Sequence, residues 1–167
     1  DKEGGHLVDV RRETARRLAK ENNGINLDQY DNPENPRGYY TTLGKEIDKS
    51  VPDADYLVGT IGTGSSLSGT GLYLKENNNE IKVIALEPKG SSHFSPHGHG
   101  YFISGPGYPA GAVLPKNINR DIIDVHDYVA DKEAFNTMRF FAEKKGLLVG
   151  DSSAMTLYYA MKFVREN

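Results

Sequence analysis

The sequence predicts an α/β fold: an open, mostly parallel sheet with helices on both faces, in three layers. Three observations carry this. Tyr56-Leu57-Val58 and the stretch from Ile81 to Leu86 are short apolar runs of the kind that form strands buried on both sides. A helical pattern lies between them, with Leu67, Gly71 and Leu74 on one face. Strand, helix and strand in this succession make a right-handed parallel crossover.

The other elements follow from the same signals. Residues 1–5 read as a turn. From Leu7, apolar residues at Leu7, Val10, Ala15 and Leu18 predict an amphipathic helix that stops at Gly24. Arg11, Arg12, Arg16 and Arg17 fall largely on its other faces and read as a solvated side. Residues 25–30 are short enough for a strand. Residues 31–38 hold two Asn-Pro steps, which predict extended or turned chain, with a helix that begins near Tyr40 to Thr42 and runs to about Lys49. Residues 89–112 are rich in Gly, Ser, His and Pro and predict a long loop of the kind that borders a site. Residues 122–129 suggest a further strand. Asp131 caps a helix bearing Ala134, Phe135, Met138, Phe141 and Ala142, with Gly146 as its stop. A last helix places Leu157, Met161 and Val164 on one face.

Composition narrows the function classes. A formal charge of −3 gives no basic field for nucleic acid and no polybasic membrane patch. No run reaches the length of a membrane span, and no signal peptide is visible. Cysteine is absent, which removes disulfides, thiolate metal ligands and a cysteine nucleophile. His93, His97 and His99 have a spacing that metal sites use, but loops carry histidine freely, and no metal is expected. The chain begins with Asp1 rather than Met, as a fragment, a processed product or a trimmed chain would.

The chemistry concentrates at Gly59-Thr60-Ile61-Gly62-Thr63-Gly64-Ser65-Ser66, between the first predicted strand and its helix. Unpaired N–H groups at a helix start attract anions, and glycines let the backbone approach one closely. Thr63, Ser65 and Ser66 add hydroxyl donors. The stretch is therefore a phosphate cradle or a tight turn of small residues. A P-loop would need a lysine after its second glycine, where Thr70 follows Gly69. A dinucleotide fingerprint would need a third small residue where Leu67 stands, although Glu87 lies where a ribose-binding acid would fall.

Gly62-Thr63-Gly64-Ser65-Ser66 resembles the phosphate-binding loop of the fold type II pyridoxal-phosphate enzymes related to cysteine synthase and cystathionine β-synthase. Asn32-Pro33-Glu34-Asn35-Pro36, Thr41-Thr42-Leu43-Gly44-Lys45-Glu46-Ile47, Leu114-Pro115-Lys116-Asn117 and Gly146-Leu147-Leu148-Val149-Gly150-Asp151-Ser152-Ser153 are similar to that family's segments, in its order. The likeness covers nearly all 167 residues and corresponds to the C-terminal half of such an enzyme. It implies a remnant of a smaller domain over residues 1–44 and a larger phosphate-binding domain over residues 45–167.

What the resemblance implies for the site is specific. Pyridoxal 5′-phosphate would be held at Gly62, Thr63, Gly64, Ser65 and Ser66. Ser152 would hydrogen-bond its pyridine nitrogen, whereas the residues alone equally allow Ser152 to be a helix N-cap. Gln29, Gly105 and Gly107 would contact the amino-acid substrate. The family's Schiff-base lysine precedes the matched region, and no lysine here has a matching context, so the chain alone is expected to be inactive. The implied parent enzyme is a cytoplasmic homodimer that makes cysteine, or a related amino acid, from O-acetylserine or a similar serine derivative. The alternatives are a cystathionine β-synthase, a serine/threonine dehydratase-like lyase, or a catalytically silent fragment.

Overall fold

The computed structural model describes residues 6–166, so the turn expected over residues 1–5 lies outside it. Strands β1 (Tyr56–Thr60), β2 (Lys82–Pro88) and β3 (Val125–Val129) form one parallel sheet in the order β1-β2-β3. Val58 is level with Ile84, and Ile84 with Val125. Successive side chains of β2 point to opposite faces, and both faces are covered. Val83 and Ala85 pack with Leu67 and Ile122 on one face. Ile84 and Leu86 pack with Ile103, Val129, Ala134, Met155 and Tyr159 on the other. Pro88 has no N–H to give the ladder, and the N–H of Lys89 reaches the Val129 carbonyl instead at 2.9 Å.

Helix α4 (Ser65–Asn77) covers the first face. Helices α5 (Asp131–Phe140) and α6 (Asp151–Glu166) cover the second. A π-helical turn, Phe141–Lys145, extends α5 and ends at Gly146, whose φ is 65°. Before the sheet come α1 (Leu7–Glu21), α2 (Glu34–Thr41) and α3 (Leu43–Ser50). Helix α2 crosses α4 at Gly69, where a Cβ would stand 2.0 Å from the Pro36 carbonyl oxygen. Only a residue without a side chain admits that approach.

Several local expectations are corrected. Residues 25–30 form no strand; Asn26 Oδ1 accepts the Asp28 N–H at 3.1 Å, and Asp28 takes a φ of 41°. The Asn-Pro segment is not extended throughout, because α2 begins at Glu34, whose N–H is accepted by Asn32 Oδ1 at 3.0 Å. That side chain satisfies a helix-start donor, and proline is tolerated in a first turn. The helix expected to begin between Tyr40 and Thr42 is α3, which starts at Leu43, and α2 precedes it across a break at Thr42. Asp131 makes no capping bond to α5; its carboxylate accepts the N–H groups of Phe102 and Ile103.

Helical periodicity marks possible faces without saying which one is covered. Leu7, Val10 and Leu18 of α1 are exposed, whereas Arg12 is buried. Its guanidinium meets Asp31 at 2.6 Å and the Val113 carbonyl at 2.8 Å, and lies over the Tyr30 ring. The arginines are therefore not all on a solvated face. In α6 the covered residues are Ala154, Met155 and Tyr159, and Val164 is exposed.

Candidate functional site

The loop between β1 and α4 is held from beneath by its own carbonyls. The Ile61 carbonyl accepts the Gly107 N–H at 2.7 Å, and the Gly62 carbonyl accepts the His93 ring at 2.7 Å. In a planar trans peptide the next residue's N–H points opposite to the carbonyl. Pinning these two carbonyls thus turns the N–H groups of Gly62 and Thr63 away from the anchors. Among the described residues no carbonyl or side chain accepts the N–H groups of Gly62, Thr63, Gly64, Ser65 or Ser66. Gly64 has a φ of 86°, which favours glycine, and starts α4. The Ser65 hydroxyl is buried and has no partner. Free helix-start donors with a buried, unsatisfied hydroxyl fit a phosphate group.

A cavity of about 490 Å³ opens over this loop. Gln29, Gly62, Thr63, Gly105 and Gly107 line it together. Gly64 and Ser65 lie buried at the loop's end. Ser66 opens instead onto a separate cleft beside Leu43 and Ile47. Ser152 is not among the residues lining the larger cavity; it sits in the first turn of α6.

Helix α6 is nevertheless tied to that cavity's wall. The Asp151 carboxylate accepts the N–H and hydroxyl of Ser104, both at 2.8 Å, and the neighbouring Gly105 approaches Gly62 closely. Burial works against charge on Asp151, but these bonds outweigh it and hold the carboxyl below its usual range. Asp131 and Asp151, at the starts of α5 and α6, together strap residues 102–104 in place.

Sequence reasoning missed several lining residues. Tyr101, Tyr108 and Arg11 border the cavity with no motif to announce them. Burial raises both phenols, and the charge on Glu87 adds to this at Tyr101, so both remain protonated donors at neutral pH. His93 is buried while His97 and His99 are exposed, so the three do not converge. Among the described residues no group of three or more His, Cys, Asp or Glu is placed to share a metal ion. Glu87 is fully buried against His93 and Ser91, which removes it as a ribose ligand and corrects the dinucleotide alternative. No helix among the described residues is long and apolar enough to cross a membrane.

Comparison with known proteins identifies a family. Residues 3–167 match the family described as "Pyridoxal-phosphate dependent enzyme". A cystathionine beta-synthase of Apis mellifera is 38% identical over an alignment of 168 residues that covers 96% of this chain and 33% of that protein. A cysteine synthase of Helicobacter pylori is 36% identical over 135 residues, 80% of this chain and 43% of that one. The crystal structure of a hydrogen sulfide-producing enzyme from Fusobacterium nucleatum superposes with a TM-score of 0.85 at 31% identity, covering 93% of this chain and 52% of that one. The chain thus spans between a third and about half of the length of these relatives.

Proposed function

Since this chain belongs to the pyridoxal-phosphate dependent enzyme family, we propose that it is part of a cysteine synthase-like β-replacement enzyme. Such an enzyme exchanges the leaving group of O-acetylserine, or a similar serine derivative, for a nucleophile such as sulfide. The observation that carries the reading is the loop of residues 62–66, whose N–H groups have no acceptor and whose Gly62 and Thr63 line one cavity with Gln29, Gly105 and Gly107.

When bound, the cofactor supplies an electron-withdrawing ring next to the reacting carbon. The chain's own residues bind and orient. Gly62, Thr63, Gly64, Ser65 and Ser66 would hold the phosphate through N–H and hydroxyl donors. Gln29, Gly105 and Gly107 would face the amino-acid substrate, and Tyr101 and Tyr108 would narrow the cavity against water. Ser152 would offer a neutral hydroxyl to the pyridine nitrogen and leave it unprotonated, which favours β-elimination and replacement over transamination. No lysine lines the cavity. The proton-carrying lysine is expected from outside these 167 residues, and this chain alone would not turn over. In the same reading residues 1–44 belong to the smaller domain and residues 45–167 to the larger, and the whole enzyme is a cytoplasmic homodimer.

The test is to titrate the chain with pyridoxal 5′-phosphate and with pyridoxal, reduce with borohydride and map the peptides. The phosphorylated compound should bind at least about tenfold more tightly, a difference of ~1.4 kcal/mol. No lysine should be labelled stoichiometrically. Equal binding of the two compounds would refute the phosphate cradle, and one fully labelled lysine would refute the missing-lysine reading.

A further inference from the structure

Beneath the loop lies a buried titratable pair that the proposed reaction does not use. Glu87 ends near the top of β2, and His93 returns to it six residues later. Both side chains are fully buried, with 0% exposure each.

The ring of His93 spans two acceptors. Nε2 lies 2.7 Å from the Gly62 carbonyl oxygen, which cannot donate, so Nε2 carries a hydrogen. Nδ1 lies 3.0 Å from Glu87 Oε2. The same oxygen accepts the His93 N–H at 2.9 Å and the Ser91 hydroxyl. The lone pairs of Ser91 face the Tyr108 N–H at 2.8 Å, which leaves its hydrogen for Glu87. An oxygen that already receives the His93 N–H and the Ser91 hydroxyl is a carboxylate oxygen rather than a carboxylic O–H. Nδ1 therefore also carries a hydrogen, and the ring is an imidazolium.

The surroundings leave this assignment intact. Burial pushes the Glu87 carboxyl up, but the bonds from the His93 ring, Ser91 and the His93 N–H bring it below the usual range. Tyr101 and Tyr128 face the Glu87 charge and are both raised, so neither adds a second anion. The Tyr108 ring lies 5.2 Å from the His93 ring, and its phenol is also raised. Arg120 donates to the His93 carbonyl at 2.6 Å. Glu87 Oε1 is buried without a partner, so the carboxylate depends on what Oε2 receives.

We propose that Glu87 and His93 form a charged buried pair that pins the Gly62 carbonyl inward and thereby aims the Thr63 N–H into the cavity. The role in anion binding rests on the phosphate reading of the loop. His93 and Glu87 are positioning residues; neither lines the cavity.

Two measurements on the 167-residue chain decide it. Nitrogen-15 NMR should find both ring nitrogens of His93 protonated at pH 8. In Glu87→Gln, a near-isostere, one of those two protons should be lost. Titration with inorganic phosphate should then show binding about tenfold weaker in His93→Phe than in the unsubstituted chain. A His93 ring with one protonated nitrogen at pH 8 overturns the charged pair. Phosphate binding by His93→Phe within about twofold of the unsubstituted chain overturns the pinning. If His93→Phe does not fold, phosphate binding by Glu87→Gln replaces it: clearly weaker binding supports the pinning, and binding within about twofold of the unsubstituted chain overturns it. No phosphate binding by the unsubstituted chain refutes the phosphate reading of the loop and the anion-binding role with it, while the ring nitrogens still report the charge.

Discussion

Substitution of Gly64 by alanine tests the loop's shape most directly. Gly64 has a φ of 86°, and a Cβ there would lie 2.3 Å from Ile118 Cγ1, 2.9 Å from Ile118 Cα and 3.0 Å from Ile118 N. The side-chain contact could be relieved by a rotamer change; the two backbone contacts could not. The left-handed conformation costs an alanine about 1–2 kcal/mol. Overpacking against fixed neighbours adds about 1–3 kcal/mol. The expected loss is thus about 2–5 kcal/mol, a large part of the ~5–15 kcal/mol that holds a typical domain together. With a urea slope near 2 kcal/mol per molar, the midpoint should fall by about 1–2.5 M. Gly38→Ala is the control, since Gly38 lies in α2 with nothing within 4 Å of the added Cβ. It should raise stability by up to about 1 kcal/mol through helix propensity. If Gly64→Ala moves the midpoint by less than the equivalent of ~0.5 kcal/mol, the reasoning about this loop is wrong.

Other substitutions probe the anchors. Arg12→Met should cost about 3 kcal/mol, the low end for a broken buried pair, because Asp31 keeps Arg16 at 3.2 Å; a urea midpoint unchanged from the parent would count against it. Asp151 is held below its usual range in the folded state, so its contribution is present at neutral pH and is lost as the pH falls below about 4. Asp151→Asn should flatten that acid limb in a pH series of melts, whereas Ser152→Ala should change stability by under ~0.5 kcal/mol; a steep limb retained in Asp151→Asn would remove the strap from the argument.

The sheet was legible in the sequence because β1 and β2 are continuous apolar runs separated by a glycine turn and a helix. The loop at Gly62 was legible for the same reason: strand, glycine and hydroxyl residues sit next to each other in the chain. What was not legible depends on contacts between distant segments. Arg12 looks like one of four surface arginines until Asp31 and Val113 surround it. His93 looks like one of three loop histidines until the fold brings it under Gly62. Tyr101 and Tyr108 carry no periodic signal and join the cavity only because Asp131, Asp151 and Ser91 fix the loop that bears them. Periodicity in α6 pointed to the face with Leu157, Met161 and Val164, but the sheet is covered by the one with Met155 and Tyr159.

The long reach of Arg12 also bears on the order in which the chain can come together. Its bond to Val113 closes a span of 101 residues, whereas Asn78 reaches Ala54 across only 24. The entropy of closing a flexible loop rises by about 0.6 kcal/mol per doubling, so the wider closure costs about 1.2 kcal/mol more if the intervening chain is still loose. Once β1, α4 and β2 have formed, about a third of that span is already rigid and the extra cost shrinks. Docking of α1 is therefore favoured late, onto a sheet and a 108–113 loop that already exist. The first helix of the chain in sequence becomes one of the last in time, and the buried guanidinium acts as the latch that records completion.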